Sequence, residues 1–377
     1  MARIRPLFPD AADVNFNEAE YGSDSVIMAR MTLRRTARTL ADLAFTTTMY
    51  VPWVHRFLLA ALRRYASSRN LTSNDVRLLF SCGQRLVRGA REWIVTTPGG
   101  LLFDVVDQSQ SVNSILLFRG DRFDFPWEPH TSQLLLALST PEDDVLFAGA
   151  NVGYDAILIG NHLRHGKGRC YAFEPVSSTF AVLQRNIALN GLQSVVRPFQ
   201  FALGRVDHNA EISVAGESSS LLFHQNHKTM PTETIAVRSL DSMICAGEIS
   251  RPTALVMDVE GFEIEVVKGA SDLLNSRSLR FVMTELNRAT DLMAPGSNDA
   301  VLDHLLAVGF DLFAVVDDYQ GRRLPQSDAY QLRRITSAAN AFALGGRWLN
   351  VLAMRESDLM QSIEASHDGF LKTIQVS

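Results

Sequence analysis

Two glycines and one glutamate, separated by the length of one helix, could together bind a nucleoside. Gly149 and Gly153 form a turn directly after the apolar run 145–148. Glu174 lies 25 residues after Gly149, where a second apolar run, 170–173, ends. The order of strand, glycine turn, helix, strand and acid is that of a nucleoside-binding βαβ unit, in which the acid accepts hydrogen bonds from ribose hydroxyls.

The spacing of the glycines distinguishes between the cofactors that such a unit binds. A dinucleotide-binding turn has the pattern G-x-G-x-x-G, because its second glycine lets the backbone approach a pyrophosphate. Asn151 occupies the position of that second glycine here. A nicotinamide-dependent oxidoreductase stays an alternative, but the residue at position 151 argues against it.

Three acids at the end of another apolar run are candidates for acid–base chemistry. Asp258 ends the run 254–258, and Glu260 and Glu263 follow it. Carboxylates this close repel one another unless they contact partners. One of them could be a general base or could orient a substrate hydroxyl, and the other reading is a helix N-terminus that favours acids through its dipole. We expect Asp258 and Glu260 to be catalytic.

Two histidines are further candidate proton acceptors. His224 and His227 follow the polar stretch 216–220, which we expect to form a loop over the strand ends. Histidine is a suitable general base because its pKa lies near neutral pH. The pair could also bind a metal, but the sequence fixes no third ligand, so no metal site is predicted. Glu285, with Asn287 behind it, is either a substrate contact or a cap at a strand end.

A set of short motifs follows the chain in a fixed order. The most diagnostic is Asp258-Val-Glu-Gly261, with Lys268-Gly-Ala270 behind it. The others are Trp127-Glu-Pro-His130, Gly149-Ala-Asn-Val-Gly-Tyr154, Ala172-Phe-Glu-Pro175, Arg185-Asn-Ile-Ala-Leu-Asn-Gly191, Ala202-Leu-Gly204, Ser239-Leu-Asp241 and Thr284-Glu285. Together they resemble the FkbM family of S-adenosylmethionine-dependent methyltransferases, over roughly residues 127–354.

The resemblance implies S-adenosyl-L-methionine as the cofactor. This cofactor has no phosphate, which agrees with a turn that is poor in glycine. Phe147 stands where the family usually has an acid, and Met257 where it usually has a lysine; Asp155 and Glu128 are candidates to replace that acid. The cofactor contacts that the resemblance implies are Glu128, Gly149, Ala150, Asn151, Gly153, Tyr154, Glu174, Pro175, Ala202 and Asp258.

An α/β sheet is needed to bring these residues together. From residue 129 onward, short apolar segments alternate with helical ones, which predicts a sheet with helices on both faces. The resemblance makes this a Rossmann-like class I methyltransferase sheet. In such sheets, ligands bind at the carboxyl ends of the strands. The predicted strands are 145–148, 170–173, 195–202, 254–258, 280–284, 312–316 and 351–354.

Two regions precede this predicted methyltransferase domain of residues 129–377. Apolar residues at helical spacing predict an N-terminal helical region over residues 1–90, which we interpret as a cover or a homodimer contact rather than a substrate lid. Residues 91–128 predict a small β-rich connecting segment, with a further strand at 114–118.

Composition narrows the class of protein. A net charge of -5 gives no reason to expect a nucleic-acid partner. The three cysteines have no paired spacing, which argues against a disulfide framework and a zinc site. No apolar run reaches transmembrane length, and the N-terminus lacks the apolar core of a secretory signal, so we expect a cytoplasmic protein without a membrane partner.

The expected reaction follows from the resemblance. It implies O-methylation of a hydroxyl on a sugar or a specialised metabolite, with a small molecule as the substrate. N-methylation of a related small molecule and a non-catalytic, methyltransferase-like binding protein stay open as alternatives. Hydrolase and kinase functions have no support, because the chain has neither a Gly-x-Ser-x-Gly elbow nor a phosphate-binding Walker loop.

Overall fold

Apolar runs form the inner strands of a nine-stranded sheet in the computed structural model. Parallel strands are buried on both faces, which is why their sequences are almost entirely hydrophobic. The structure describes residues 60–62, 93–97, 99–106, 112–113, 116–117, 128–214, 216, 219–221, 230–291, 294–315, 331–337, 341, 348–365 and 375–376. All of them belong to the unit Leu59–Ser377.

The described strands and helices alternate along most of the chain. The strands are β1 (Ile94–Thr96), β2 (Leu102–Asp104), β3 (Asp144–Ala148), β4 (Arg169–Phe173), β5 (Val196–Phe199), β6 (Ala202–Leu203), β7 (His208–Ser213), β8 (Thr232–Arg238), β9 (Ala254–Met257), β10 (Phe281–Asn287), β11 (Asp311–Val315), β12 (Gln331–Ile335), β13 (Trp348–Met354) and β14 (Gln375–Val376). The helices are α1 (Pro129–Leu138), α2 (Tyr154–Leu163), α3 (Ser177–Leu189), α4 (Leu240–Cys245), α5 (Glu263–Gly269), α6 (Ser271–Leu274), α7 (Arg288–Asp291), α8 (Ser297–Ala307) and α9 (Glu356–Ala365).

The strand order of the main sheet creates a point at which the connections change direction. The order is β14-β12-β11-β13-β10-β9-β3-β4-β5, and the five strands from β10 to β5 are parallel. From β3 the chain proceeds outward to β4 and β5, and it later returns to β9 on the other side of β3. Ligands of open α/β sheets bind at such a switch point. The strand β13 lies between β10 and β11 and is antiparallel to both.

Helices pack on both faces of this sheet. Alternate residues of a strand point to opposite faces. On one face, Leu146 and Leu255 share a hydrophobic core with residues of α4, α5, α6 and α8. On the other face, α2 lies against β4 and β5, where a Cβ on Gly160 would be 2.3 Å from a methyl carbon of Val196. The predicted α/β fold with helices on both faces is therefore confirmed.

Asn186 of α3 and Asn190, directly after the helix, attach the β1–β2 hairpin to the sheet. The side chain of Asn186 accepts a hydrogen bond from the backbone N–H of Asp104 (2.7 Å) and donates one to the carbonyl of Val152 (2.9 Å). Asn190 pairs in the same way with the backbone of Leu102. Arg185 forms an ion pair with the buried carboxylate of Asp104. The motif at 185–191 therefore holds the hairpin against the glycine turn.

Three sequence-based expectations differ from the structure or lie outside it. The predicted strand at 114–118 is wrong at residues 116 and 117, which are helical; short apolar runs do not separate helix from strand. The predicted strand 195–202 is instead two strands in different sheets, because β6 joins β7 and β8 in a separate three-stranded sheet. The helical region predicted over 1–90 lies outside the described residues, except for 60–62, which are helical.

No described helix is long and apolar enough to cross a membrane.

Candidate active site

An open cleft lies where β3, β4 and β9 end, at the switch point of the sheet. Its empty volume is about 650 Å³. Seven residues that the sequence predicted for the site line it: Gly149, Asn151, Glu174, Pro175, Ala202, Asp258 and Glu260. They come together because the carboxyl ends of parallel strands meet at one edge of the sheet.

The turn after β3 fits tightly against the neighbouring strands. The backbone N–H groups of Gly149 and Ala150 both donate to the carbonyl oxygen of Phe173, at 3.0 and 2.8 Å. Gly149 has a φ of 79°, and a Cβ at this position would lie 1.8 Å from the carbonyl oxygen of Asp258. The close backbone approach that requires glycine here is therefore made by the end of β9.

Three other residues of the predicted cofactor set lie beside the cleft and do not line it. Gly153 precedes α2 with a φ of 90°, and a Cβ there would be 2.5 Å from a methyl carbon of Leu183. Tyr154 is buried, with its ring 5.6 Å from that of Phe103. Ala150 is also buried. These residues shape the turn and its packing rather than the wall of the cleft.

Glu174 is the buried carboxylate of the cleft. Its Oε2 accepts a hydrogen bond from the backbone N–H of Asn151 (3.1 Å), and its Oε1 accepts one from Val176 (2.9 Å). Burial raises the pKa of Glu174 to about 7, and the nearby charges of Glu233 and Asp258 add to this, while the two backbone hydrogen bonds oppose it. The side chain is therefore fixed in place, and each oxygen retains a lone pair for a ligand hydroxyl.

Glu263 holds the loop that follows β9. Its Oε1 accepts hydrogen bonds from the backbone N–H groups of Val259 (3.2 Å) and Gly261 (3.1 Å). Burial raises the pKa of Glu263 to about 7, and the charge of Asp258 contributes. The carbonyl of Glu260 accepts a further hydrogen bond from Ser220 Oγ, at 2.8 Å. The two bonds from Glu263 and the one from Ser220 fix the backbone that carries Asp258 and Glu260.

Non-glycine residues in the left-handed backbone region cluster at this edge of the sheet. Among the described residues they are Glu128, Asn151 and Glu260, with φ values of 41°, 49° and 51°. The left-handed conformation is uncommon for residues other than glycine, asparagine and aspartate, and strain of this kind is frequent at functional sites. Two of the three line the cleft.

Glu128 and Asp155, the two candidates to replace the family's acid, are placed differently. Oε2 of Glu128 accepts a hydrogen bond from the side-chain amide of Asn350 (3.1 Å), and Glu128 is not among the residues that line the cleft. Asp155 accepts a hydrogen bond from Ser132 (2.8 Å), which joins α2 to α1. Phe147 is buried within β3 and does not line the cleft.

The predicted histidine bases cannot be placed. His224 and His227 lie outside the described residues. Within the described part of the chain, no group of three or more histidine, cysteine, aspartate or glutamate side chains is arranged to hold a metal ion.

The sequence did not identify the mostly apolar remainder of the cleft wall. Many of these residues come from the small sheet and from the loop after β9. Leu203 and Val259 lie within two of the motifs, and Gly216 and Ser219 within the predicted loop 216–220, but the sequence singled out none of them as a site residue. Glu263 was noticed only as part of an acidic run, and its role as an anchor required the structure. The additional lining residues are Val176, Thr179, Leu203, Ile212, Gly216, Ser219, Leu221, Val259 and Phe262.

The comparison with protein families bears on the enzyme class and on the cofactor. Residues 148–312, which contain the glycine turn, Glu174 and the loop after β9, match the methyltransferase FkbM domain. This segment of the chain is an FkbM-type methyltransferase domain by its match. The predicted family, enzyme class and cofactor are confirmed, and the protein is an S-adenosyl-L-methionine-dependent methyltransferase.

Two curated relatives are also named as methyltransferases. The chain is 27% identical over 213 residues to the hexuronic acid methyltransferase AglP of Haloferax volcanii, covering 53% of this chain and 82% of the relative. It is 27% identical over 153 residues to Methyltransferase 1 of Beauveria bassiana, covering 35% of this chain and 60% of that relative.

Two of the solved structures that the chain matches are those of a methyltransferase FkbM and a fibrillarin. Methyltransferase FkbM from Methylobacillus flagellatus is 16% identical, with a TM-score of 0.35 and coverage of 57% of this chain and 44% of that one. Fibrillarin from Aeropyrum pernix, solved with bound S-adenosyl-L-methionine, is 13% identical, with a TM-score of 0.36 and coverage of 71% and 86%.

Proposed function

We propose that this protein transfers the methyl group of S-adenosyl-L-methionine to a hydroxyl oxygen of a sugar. The observation that carries the proposal is the similarity to a hexuronic acid methyltransferase, which extends over 82% of that relative. The cleft agrees with the cofactor half of the proposal, since it combines one buried carboxylate with apolar walls.

The described residues fit the adenosyl part of the cofactor. Glu174 is held by two backbone N–H groups, and its remaining lone pairs suit the two hydroxyls of a ribose. Ile212, Leu221 and Phe262 supply apolar surface for a base. Gly149, Asn151 and Pro175 would contact the cofactor as part of the same wall. When bound, the cofactor supplies an activated methyl group on a sulfonium centre.

Asp258 is the residue that we assign to the acceptor. It lies beside Glu174 at the switch point, is exposed, and lines the cleft. Methyl transfer requires the acceptor oxygen in line with the methyl carbon at about 3 Å. A sugar hydroxyl is a weak nucleophile, so a carboxylate that accepts its proton or orients it would raise the rate. Glu260, His224 and His227 stay as alternatives for this role.

A labelled-methyl assay tests the proposal. The full chain is incubated with cofactor that carries a trideuterated methyl group and with neutral glycosides, hexuronic acids or amino sugars, and products are analysed by mass spectrometry before and after mild alkali. We expect labelled methyl ethers of sugars, which survive alkali. A label lost in alkali would indicate a methyl ester on a hexuronic acid carboxylate, and a label on nitrogen would indicate N-methylation. Cofactor binding without transfer to any sugar would overturn the proposal of a sugar acceptor.

A further inference from the structure

Side chains from two neighbouring strands form a polar patch next to the cleft. At the end of β10, Glu285 and Asn287 lie directly opposite Asn350 and Trp348 of the antiparallel strand β13. Opposed residues of an antiparallel pair, and residues two apart along one strand, share a face of the sheet. The intervening residues, such as Leu286 and Leu349, lie in the core on the opposite face. The four polar and aromatic residues therefore face the same side.

Glu128 adds a further carboxylate to this patch. Glu128, directly before α1, accepts a hydrogen bond from the side-chain amide of Asn350 through Oε2 (3.1 Å). The backbone of Glu128 is left-handed, and Asn350 is buried. Trp348 differs from both, because 38% of its surface is exposed. The patch thus combines fixed polar groups with an accessible indole. We define the acceptor patch as Glu128, Glu285, Trp348 and Asn350.

The acceptor patch continues the wall of the cleft. The last pair between β10 and β9 is formed by Thr284 and Met257. Glu285 follows Thr284 directly, and Asp258 follows Met257. Asp258 lines the cleft. A row of side chains thus passes from the cleft across three neighbouring strands, so a molecule on the patch would have one end beside Asp258.

We propose that the acceptor patch binds the sugar whose hydroxyl is methylated; the proposal rests on the function proposed above. A pyranose ring presents an apolar C–H face and a rim of hydroxyls. An exposed indole offers an apolar surface of matching size, and carboxylate and amide oxygens accept hydrogen bonds from hydroxyls. The ring would lie against Trp348, and Glu285 and Glu128 would accept hydrogen bonds from its hydroxyls. This arrangement directs one hydroxyl toward Asp258.

Replacement of Trp348 tests this assignment with a matched control. The variants are Trp348→Ala, Trp348→Phe and Met360→Ala, the last of which removes an apolar side chain with 41% exposure from α9. For Trp348→Ala we expect the KM for the sugar to rise at least about tenfold, as for the loss of an aromatic anchor. The Kd for S-adenosylhomocysteine should stay within about twofold of the wild-type value. Trp348→Phe should recover most of the loss, and Met360→Ala should change neither constant.

A second variant keeps the test decisive if Trp348→Ala does not fold. Glu285→Gln should raise the KM for the sugar several-fold and leave the Kd for S-adenosylhomocysteine unchanged. If the wild type methylates a sugar and both variants keep its KM, the patch is not the acceptor site, while the proposed function stands. A rise in the Kd for S-adenosylhomocysteine as large as the rise in the KM for the sugar would also overturn the assignment. If the wild type methylates no sugar, the proposed function fails and the sugar assignment fails with it.

Discussion

The carbonyl oxygen of Asp258 occupies the space that a side chain on Gly149 would need. A Cβ on Gly149 would approach this oxygen to 1.8 Å. The contact locks the glycine turn after β3 to the end of β9, and these are the two elements between which the topology changes direction. Stability and the shape of the cleft therefore depend on the same contact.

Alanine at position 149 should destabilise the protein more than alanine at a similar glycine elsewhere. Gly100 has a φ of 81°, close to the 79° of Gly149, but a Cβ there would meet no atom within 4 Å. We expect Gly100→Ala to lower the free energy of unfolding by about 1 kcal/mol and Gly149→Ala by at least about 3 kcal/mol, measured by urea unfolding. Equal losses would show that the backbone conformation, and not the contact with Asp258, requires glycine.

Glutamine at position 174 should weaken cofactor binding. It keeps an oxygen for a backbone N–H but loses the charge that strengthens hydrogen bonds to ribose hydroxyls. We expect the Kd for S-adenosylhomocysteine, measured by calorimetry, to rise about 10- to 100-fold. Glu233→Gln is the control, because Glu233 is a nearby carboxylate that binds the backbone N–H of Ser177. The comparison is made at pH 8, where Glu174 is ionised with or without the charge of Glu233. An unchanged Kd in Glu174→Gln would remove the assigned role of Glu174.

Cofactor affinity should also depend on pH through Glu174. Its pKa is raised from 4.5 to about 7, so the carboxyl is largely protonated at pH 6 and ionised at pH 8. Since the ionised form accepts hydrogen bonds from both ribose hydroxyls, the Kd for S-adenosylhomocysteine should fall as pH rises toward 7 and level off above it. In Glu174→Gln this dependence should disappear, and a variant with the wild-type pH profile would contradict the assignment.

Two replacements of Glu263 separate its anchoring role from its charge. Glutamine retains the oxygen that binds Val259 and Gly261, whereas leucine leaves both N–H groups without it, at a cost of about 1–3 kcal/mol each. We expect Glu263→Gln to keep kcat within a few-fold and Glu263→Leu to reduce it more than about tenfold. Glu265→Gln, on the same helix but paired with Lys268 at the surface, is the control.

The pKa of Glu263 predicts the direction of a stability change with pH. Between pH 4.5 and about 7 the folded protein keeps a proton that the unfolded chain has released, so rising pH lowers stability across this window. Glu263→Gln has no such proton. Relative to the wild type, it should therefore gain stability from pH 5 to pH 8 in urea unfolding. A constant difference across this range would contradict the raised pKa.

Asparagine at position 258 should affect turnover and not cofactor binding. Asp258 lines the cleft where we place the acceptor hydroxyl, and asparagine keeps its size but accepts no proton. We expect kcat to fall at least about 100-fold, with the Kd for S-adenosylhomocysteine close to the wild-type value. A large loss of cofactor affinity with unchanged kcat would assign Asp258 to the cofactor instead.

The central part of the site could be predicted from the sequence because its residues end buried parallel strands. Gly149, Glu174 and Asp258 each follow an apolar run, and such runs determine both the strands and the edge at which they end. The family motifs added the residues between them. The motif at 185–191 was recognised as well, although its role in holding the β1–β2 hairpin became clear only from the hydrogen bonds of Asn186 and Asn190.

The rest of the fold and of the site depends on contacts between residues that are distant in the sequence. Glu285 and Asn350 are 65 positions apart and become neighbours only because β13 is antiparallel to β10. The apolar run 195–202 gives no signal that it divides between two sheets. Glu263 resembles any acid at a helix start until its hydrogen bonds are known. Such features are set by tertiary pairing and not by local periodicity.

The left-handed glutamate at position 260 also bears on any effort to make this enzyme more heat-tolerant. Glycine would relieve the conformational cost of about 1 kcal/mol, so a screen that selects only for survival at high temperature would favour it. The same change would remove a side chain from the cleft wall and loosen a loop whose rigidity orients Asp258. Such a screen would therefore yield a protein with higher thermal stability and lower kcat, unless turnover were selected as well.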